Sequence, residues 1–147
     1  MTASKTAEGQ PVLHVAFEMY SRPCCLPVVR ATVSHLAAMV GWDESECRTI
    51  TLAIDEALAN VIRHAYRGRA DERIELHCDA LEGELRFRLR DNGDPPDHTR
   101  ICAREVGCDK IGGLGTHIIR DVMDSVFYET RQEGNWFLAV KRLRRQA

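Results

Sequence analysis

The chain has 147 residues, a length that suits one domain with a sizeable core. Its composition is that of an ordinary globular protein, with 44% hydrophobic and 29% charged residues. The formal net charge of −2 gives no electrostatic case for nucleic acid, so we expect no direct binding to it.

The compartment is predicted from the N-terminus and the cysteines. No run reaches the roughly 20 apolar residues of a membrane span, and no signal peptide is recognisable, so we expect no membrane contact. The six cysteines are then expected to be reduced thiols in a cytoplasmic protein. His98, Cys102 and Cys108 lie close together in sequence, but their spacing does not favour a zinc site.

The first third of the chain predicts a strand and a helix. Residues 1–10 are small and polar and are expected to be a frayed end, and residues 11–147 are expected to form a single domain. Alternating apolar and polar residues predict a strand over residues 13–18. A helical period of apolar residues, with Pro27 in the first turn, predicts a helix over residues 28–40.

A second, longer helix is predicted over residues 44–66. Asp43 is a good N-cap for it, Glu46 completes a capping box, and Gly68 is placed to end it.

This long helix carries a polar stripe. Glu56, Asn60 and His64 follow one another at intervals of four residues, so they share one side of a regular helix. The stripe can line a cavity if the other side of the helix is buried, although the same pattern is also typical of a solvated surface.

A hairpin is predicted over residues 73–80 and 84–90. Each strand places apolar residues on one face and charged residues on the other, and opposite charges then oppose each other across the pair. The outward residues are Glu75, His77 and Asp79 on the first strand and Arg86, Arg88 and Arg90 on the second. We interpret this arginine row as a solvated sheet face.

The last third predicts a loop, a helix and a closing hairpin. The loop covers residues 94–111, the helix residues 115–123, and the hairpin residues 124–130 and 136–143. The chain ends on basic residues, which we interpret as an edge strand with a charged tail rather than a binding patch: Lys141, Arg142, Arg144 and Arg145. The order of elements predicts an α+β fold, a two-layer sandwich with helices on one face of a mixed, mostly antiparallel sheet.

Two short motifs add chemistry to the polar stripe. Asp91 ends a strand, where its carboxylate can accept a hydrogen bond from an exocyclic amine, and Gly93 lets a ligand ring approach the backbone. The same Asp-Asn-Gly sequence is also a common turn. A run of glycines before the last helix can bind phosphate through free backbone N–H groups, or it can be a flexible loop: Gly112, Gly113, Leu114 and Gly115.

The three motifs together resemble the GHKL ATPase/kinase superfamily (the Bergerat fold), and within it the bacterial anti-sigma-factor serine kinases of the RsbW and SpoIIAB type. Residues 56–66 are similar to the N-box of that family, residues 91–95 to its Asp-x-Gly-x-Pro box, and residues 113–115 to its second glycine box. The resemblance covers residues 13–143, and its strength lies in the order and separation of three motifs that are weak individually.

The resemblance implies roles for these residues. Glu56 is the expected catalytic base and Asn60 the expected ligand of Mg²⁺, with ATP as the nucleotide. Asp91 is expected to bind the adenine amine, with Gly93 beneath the ring. Residues 94–112 are the expected lid.

Further contacts follow from the same resemblance. His64 is expected either to touch the nucleotide or only to pack. The phosphate contacts are expected from Gly113, Leu114, Gly115 and Thr116. Arg22 and Arg30 are candidates for the partner surface, and the alternative for each is a solvated arginine.

The implied function is an ATP-dependent protein serine/threonine kinase that acts as an anti-sigma factor. Such a protein phosphorylates a STAS-domain antagonist, sequesters a sigma factor and usually forms a homodimer. The alternative is a nucleotide-binding partner-switch module that transfers no phosphate. Glu56 favours the kinase, because a passive binder does not require a base.

Overall fold

The structure is a computed structural model that describes residues 9–96 and 114–144, with only the backbone of residues 114–116. In chain order the elements are β1 (Leu13–Tyr20), α1 (Leu26–Val40), α2 (Glu44–Asn60), β2 (Arg73–Leu81), β3 (Glu84–Asp91), α3 (Leu114–Val122), β4 (Ser125–Arg131) and β5 (Gly134–Arg142). A short 3₁₀ turn, Pro23–Cys25, precedes α1, and a π-helical turn, Val61–Ala65, directly extends α2.

The five described strands form one sheet with the order β1-β2-β3-β5-β4, and all four pairings are antiparallel. The helices pack on each other and on the sheet, with α2 between α1 and α3. The predicted α+β sandwich is therefore confirmed.

The position of β5 differs from the prediction. We expected the basic last strand to be an edge strand, but β5 pairs with both β3 and β4, and the edge on that side is β4. The basic side chains are accommodated by local partners. Lys141 Nζ donates to the carbonyl of Val122 at 2.7 Å, and Arg142 Nε lies 3.9 Å from Glu84 Oε2.

The predicted β2–β3 hairpin has the expected antiparallel pairing and faces. Glu75 lies opposite Arg90, and the two side chains form an ion pair of 3.8 Å. Asp79 Oδ2 lies 3.7 Å from Arg88, its diagonal neighbour. Opposite charges on adjacent strands stabilise this register, since a slip of one residue would turn them to the core face.

The core lies between the helices and the inner face of the sheet. Its strand residues include the two apolar rows predicted from the alternation, Ile74, Leu76 and Cys78 on β2 and Leu85, Phe87 and Leu89 on β3. Burial raises the pKa of Cys78 to about 12, so this thiol stays neutral and packs as a small apolar side chain.

Helix α1 has an unusually apolar sequence with Arg30 as its one charged residue. By length and composition alone, residues 23–40 could cross a membrane, with a mean hydropathy of 1.4, a feature that the sequence analysis overlooked. In the fold, Val29, Val33 and Leu36 are buried in the core. Core helices of soluble proteins pass the same test, so the stretch does not by itself indicate a membrane span.

The start of α2 is fixed by the predicted N-cap. Asp43 has an extended backbone, and its Oδ1 accepts a hydrogen bond of 2.8 Å from the amide of Glu46. This bond satisfies one of the free N–H groups in the first helical turn.

We therefore expect Asp43→Ala to lower the free energy of unfolding by about 1 kcal/mol, because the Glu46 amide loses its acceptor. Urea-induced unfolding measures the change. Asp43→Asn keeps an acceptor oxygen and should stay close to wild type, as should Ser45→Ala at an exposed position of the first turn. Equal loss in Asp43→Ala and Asp43→Asn would show that the cap does not act through this hydrogen bond.

Candidate functional site

A cavity of about 400 Å³ opens where the end of α2 meets the ends of β3 and β5. Its wall combines the polar end of the helix, one buried carboxylate and three aromatic side chains. The lining residues are Ala57, Asn60, Val61, Arg63, His64, Ala65, Arg67, Leu89, Asp91, Asp94, Pro95, Pro96, Tyr128, Asn135, Trp136 and Phe137. The volume lies within the range of small-molecule and cofactor sites.

The π-helical turn shapes one wall of the cavity. The amide of Tyr66 donates to the carbonyl of Val61 at 2.9 Å, five residues back, so the regular α-helical register ends at Asn60. The carbonyl of Ala65 then accepts from the amide of Asp94 at 2.8 Å. This bond joins the helix end to the turn that follows β3.

Gly93 is required by this junction. A Cβ at Gly93 would lie 2.4 Å from the carbonyl oxygen of Ala65, well inside a contact distance. We predicted that Gly93 gives room to a ligand ring. In the structure, atoms of Ala65 at the end of the helix occupy the space that a side chain at position 93 would need. Gly93 is not among the lining residues.

Tyr66 ties the same junction to β2. Its hydroxyl donates to the carbonyl of Arg73 at 2.5 Å and accepts from the amide of Asn92 at 2.8 Å, and its ring is buried. Burial is the main cause that raises the pKa of Tyr66, so the phenol remains protonated and able to donate.

Asp91 places a buried carboxylate in the wall of the cavity. Its side chain is 6% exposed, and Oδ1 accepts from the amide of Gly93 and from Asn135 Nδ2, both at 2.9 Å. Burial raises the pKa of Asp91, while these two hydrogen bonds act in the opposite direction. A carboxylate in an apolar wall is suited to accept a hydrogen bond from a ligand amine.

The predicted stripe reaches the cavity only in part. Asn60 and His64 line it, but Glu56 does not, and Glu56 Oε2 instead lies 3.6 Å from Arg63 Nη2. Because the π-helical turn begins at Val61, His64 no longer follows Asn60 in a regular α-helical register.

Two arginines bring positive charge to the mouth of the cavity. Arg63 pairs with Glu56, and Arg67 Nε donates to Asp94 Oδ2 at 2.7 Å. Both arginine side chains are largely exposed and line the cavity. Arginines in this position can bind phosphate oxygens.

The glycine cluster is only partly described. Gly113 lies outside the described residues, as do residues 97–112 of the predicted lid, with His98, Cys102 and Cys108. Leu114, Gly115 and Thr116 form the first turn of α3, as the prediction of a helix after the glycines requires. The described part of the chain contains no cluster of three or more metal-ligating side chains.

The two candidate partner residues lie away from the cavity. Arg22 pairs with Asp71 at 2.5 Å, and Arg30 Nη1 lies 3.1 Å from Asp55 Oδ1. Both arginines are about half exposed, so they are available at the surface although each has an acidic neighbour.

Sequence analysis missed three kinds of site residue. Asn135 falls between the two strands of the predicted closing hairpin, and Arg63 was not singled out on the predicted long helix. The aromatic wall of Tyr128 and Phe137, with ring centroids 5.2 Å apart, was read only as strand. Arg63 follows Asn60 by three residues on the same helix, a signal that was available.

The histidine kinase-like ATPase domain family matches residues 20–141, and the chain belongs to this family. The serine-protein kinase RsbW of Listeria innocua serovar 6a is 31% identical over 120 residues, which cover 76% of each chain. RsbW of Bacillus subtilis (strain 168) is 24% identical over 127 residues, with 77% of this chain and 76% of the relative covered.

A solved structure shows the same fold. The crystal structure of the RsbU and RsbW domains of a Mycobacterium tuberculosis protein superposes with a TM-score of 0.65 at 18% identity. The match covers 90% of this chain and 32% of that chain, so this chain spans about a third of the larger protein.

We expect Gly93→Ala to lower the free energy of unfolding by about 2 kcal/mol, because its Cβ would overlap the backbone of Ala65. Gly9→Ala is the matched control, since a Cβ there would meet only a Leu81 methyl group at 3.9 Å. Urea-induced unfolding of both variants measures the difference. Unchanged stability of Gly93→Ala would mean that the turn moves away from the helix without cost.

Proposed function

We propose that this chain is an ATP-dependent protein serine/threonine kinase and anti-sigma factor. The observation that carries the proposal is the buried Asp91 carboxylate in a cavity bordered by Asn60 and by two arginines, Arg63 and Arg67. The relatives named as serine-protein kinases support the reaction class.

The cavity fits an adenine nucleotide. The aromatic wall and Leu89 offer apolar contact to a base, and Asp91 offers an acceptor for the exocyclic amine. The side-chain oxygen of Asn60 suits Mg²⁺, which when bound would neutralise phosphate charge. Arg63 and His64 lie on the helix side of the cavity, where they could contact phosphate oxygens.

The remaining phosphate contacts are proposed for the start of α3. Gly113, Leu114, Gly115 and Thr116 precede or form its first turn, where backbone N–H groups have no helical acceptor. Gly93 would contribute to adenine binding indirectly, because it allows the turn after Asp91 to pack on the helix end.

Glu56 is the proposed base for phosphotransfer. The hydroxyl oxygen of a partner serine would bond to the γ-phosphorus, its proton would pass to Glu56, and the bond to ADP would break. Glu56 Oε2 lies 3.6 Å from Nη2 of Arg63, which lines the cavity. An exposed ion pair of this length is weak, so the carboxylate can turn towards a substrate hydroxyl.

The proposed partners are a STAS-domain antagonist, which receives the phosphate, and a sigma factor, which is sequestered. Arg22 and Arg30 are proposed contacts on the partner surface because they are exposed beside and on α1. We further propose a cytoplasmic homodimer in which residues 11–147 act as a single domain.

One observation favours the alternative, a nucleotide-binding module without phosphotransfer. Glu56 is paired with Arg63 and is not among the residues that line the cavity. If that ion pair persists when nucleotide is bound, the Glu56 carboxylate would not be free to accept the proton of a substrate hydroxyl.

Glu56→Gln distinguishes the two functions. We expect transfer of labelled phosphate from ATP to the STAS-domain partner to fall by about 100-fold or more, because the substitution removes the base and keeps the shape. Nucleotide binding, followed as the rise in melting temperature with ATP and Mg²⁺, should remain. Glu44→Gln is the matched control, since Glu44 forms an exposed ion pair with Arg48 on the same helix.

Equal transfer by wild type and Glu56→Gln would remove Glu56 from the mechanism. Nucleotide binding without any transfer by wild type would support the partner-switch module. No binding of ATP by wild type would contradict both functions.

A further inference from the structure

Asn135 is a buried amide that lies directly opposite Asp91 across the β3–β5 pair. It is 6% exposed, as is Asp91, and it follows Gly134 at the start of β5. A Cβ at Gly134 would lie 2.5 Å from the carbonyl oxygen of Asp91, so the hairpin lies tightly against the end of β3. The strand register and this close approach therefore hold Asn135 directly beside the Asp91 carboxylate.

The hydrogen bonds of Asn135 involve both ends of its amide group. Nδ2 donates to Asp91 Oδ1 at 2.9 Å and to the carbonyl of Gly93 at 3.0 Å, with the carbonyl of Asp94 at 3.4 Å. Oδ1 accepts from Thr130 Oγ1 at 3.2 Å. The acceptors around Nδ2 select this amide orientation, because a flipped amide would turn its carbonyl oxygen towards the Asp91 carboxylate and the Gly93 carbonyl.

Among the described residues, the hydrogen bonds to the Asp91 carboxylate all reach Oδ1. The backbone N–H of Gly93 and the side-chain amide of Asn135 together fix that oxygen, and Asp91 lines the cavity. A carboxylate held in this way can accept a hydrogen bond but cannot rotate to offer its occupied oxygen.

We propose that Asn135 is a positioning residue that sets the base preference of the nucleotide site by holding Asp91 as an oriented acceptor. The inference rests on the proposed function, since it assumes that a nucleotide base occupies the cavity. Asn135 itself need not touch the base. Its amide also bridges to Gly93, so the same side chain fixes both the acceptor and the turn that carries it.

Electrostatics gives a second reason for an amide at this position. Burial raises the pKa of Asp91, and the hydrogen bonds from Asn135 and Gly93 oppose that effect. Loss of the Asn135 donor should raise the pKa of Asp91 further. As the pH is lowered, Asp91 would then become protonated, and stop accepting, at a higher pH than in wild type. The other titratable side chains that line the cavity are Arg63, His64, Arg67, Asp94 and Tyr128.

The test compares ATP with purine riboside triphosphate, which carries hydrogen in place of the 6-amino group. Calorimetry should show that wild type prefers ATP by about 10- to 100-fold, as expected for one hydrogen bond to a charged acceptor. In Asn135→Ala this preference should fall at least about fivefold, with a smaller change in affinity for the analogue. A structural role alone would weaken the two nucleotides equally.

The pH profile provides an independent readout. The ATP preference of wild type should disappear as pH falls, because protonated Asp91 no longer accepts from the amine. In Asn135→Ala the midpoint of this loss should lie at higher pH than in wild type. Asn135→Thr supplies a hydroxyl donor in place of the amide. Its ATP preference and the midpoint of its pH profile should therefore lie between those of Asn135→Ala and wild type.

Two further variants guard against a simple folding effect. Thr130→Val removes the hydroxyl that donates to Asn135 Oδ1 and should lower the ATP preference less than Asn135→Ala. Lys141→Met on the same strand breaks a hydrogen bond to Val122 outside the cavity and should leave the preference unchanged. If Asn135→Ala does not fold, an unchanged preference in both Thr130→Val and Asn135→Thr overturns the inference.

An ATP preference and a pH profile in Asn135→Ala that match wild type would also overturn it. Binding of neither nucleotide by wild type would instead contradict the proposed function, and the inference would fail with it. The two failures are therefore distinguishable.

Discussion

The close approach of Gly93 to Ala65 determines how the two layers of this fold meet. In a regular helix the carbonyl of Ala65 would accept from the amide of Arg69, but that amide bonds to Tyr66 instead. The π-helical turn thus frees the Ala65 carbonyl, and the amide of Asp94 takes it. This junction holds the helix end against the end of β3, where the cavity opens.

The charges around the cavity differ in how firmly they are held. Asp91 is buried and receives two hydrogen bonds, so its position is set by the core. Arg63 and Arg67 are exposed and pair with Glu56 and Asp94, and such surface pairs contribute little to stability. Exchange of these carboxylates for phosphate oxygens would therefore cost little. A strongly charged ligand can enter without disturbing the buried Asp91 carboxylate.

Local chemistry made much of the fold predictable. The N-cap at Asp43 and the charge pattern of β2 and β3 are encoded within a few residues or across one hairpin, and both are confirmed. The place of β5 between β3 and β4 is not encoded locally, because a basic strand reads the same at an edge or inside a sheet. Asn135 was missed for the same reason: its partner, Asp91, is 44 residues away in sequence.

The fold and the reaction depend on different parts of the molecule. The proposed base recognition depends on Asp91 and Asn135, whose geometry follows from strand register and burial. The proposed transfer step depends on Glu56, a partly exposed side chain whose direction is set by a weak ion pair with Arg63. A chain with this fold could therefore keep its nucleotide site and lose phosphotransfer through a change at one surface position. Membership of the family supports nucleotide binding more strongly than it supports kinase activity.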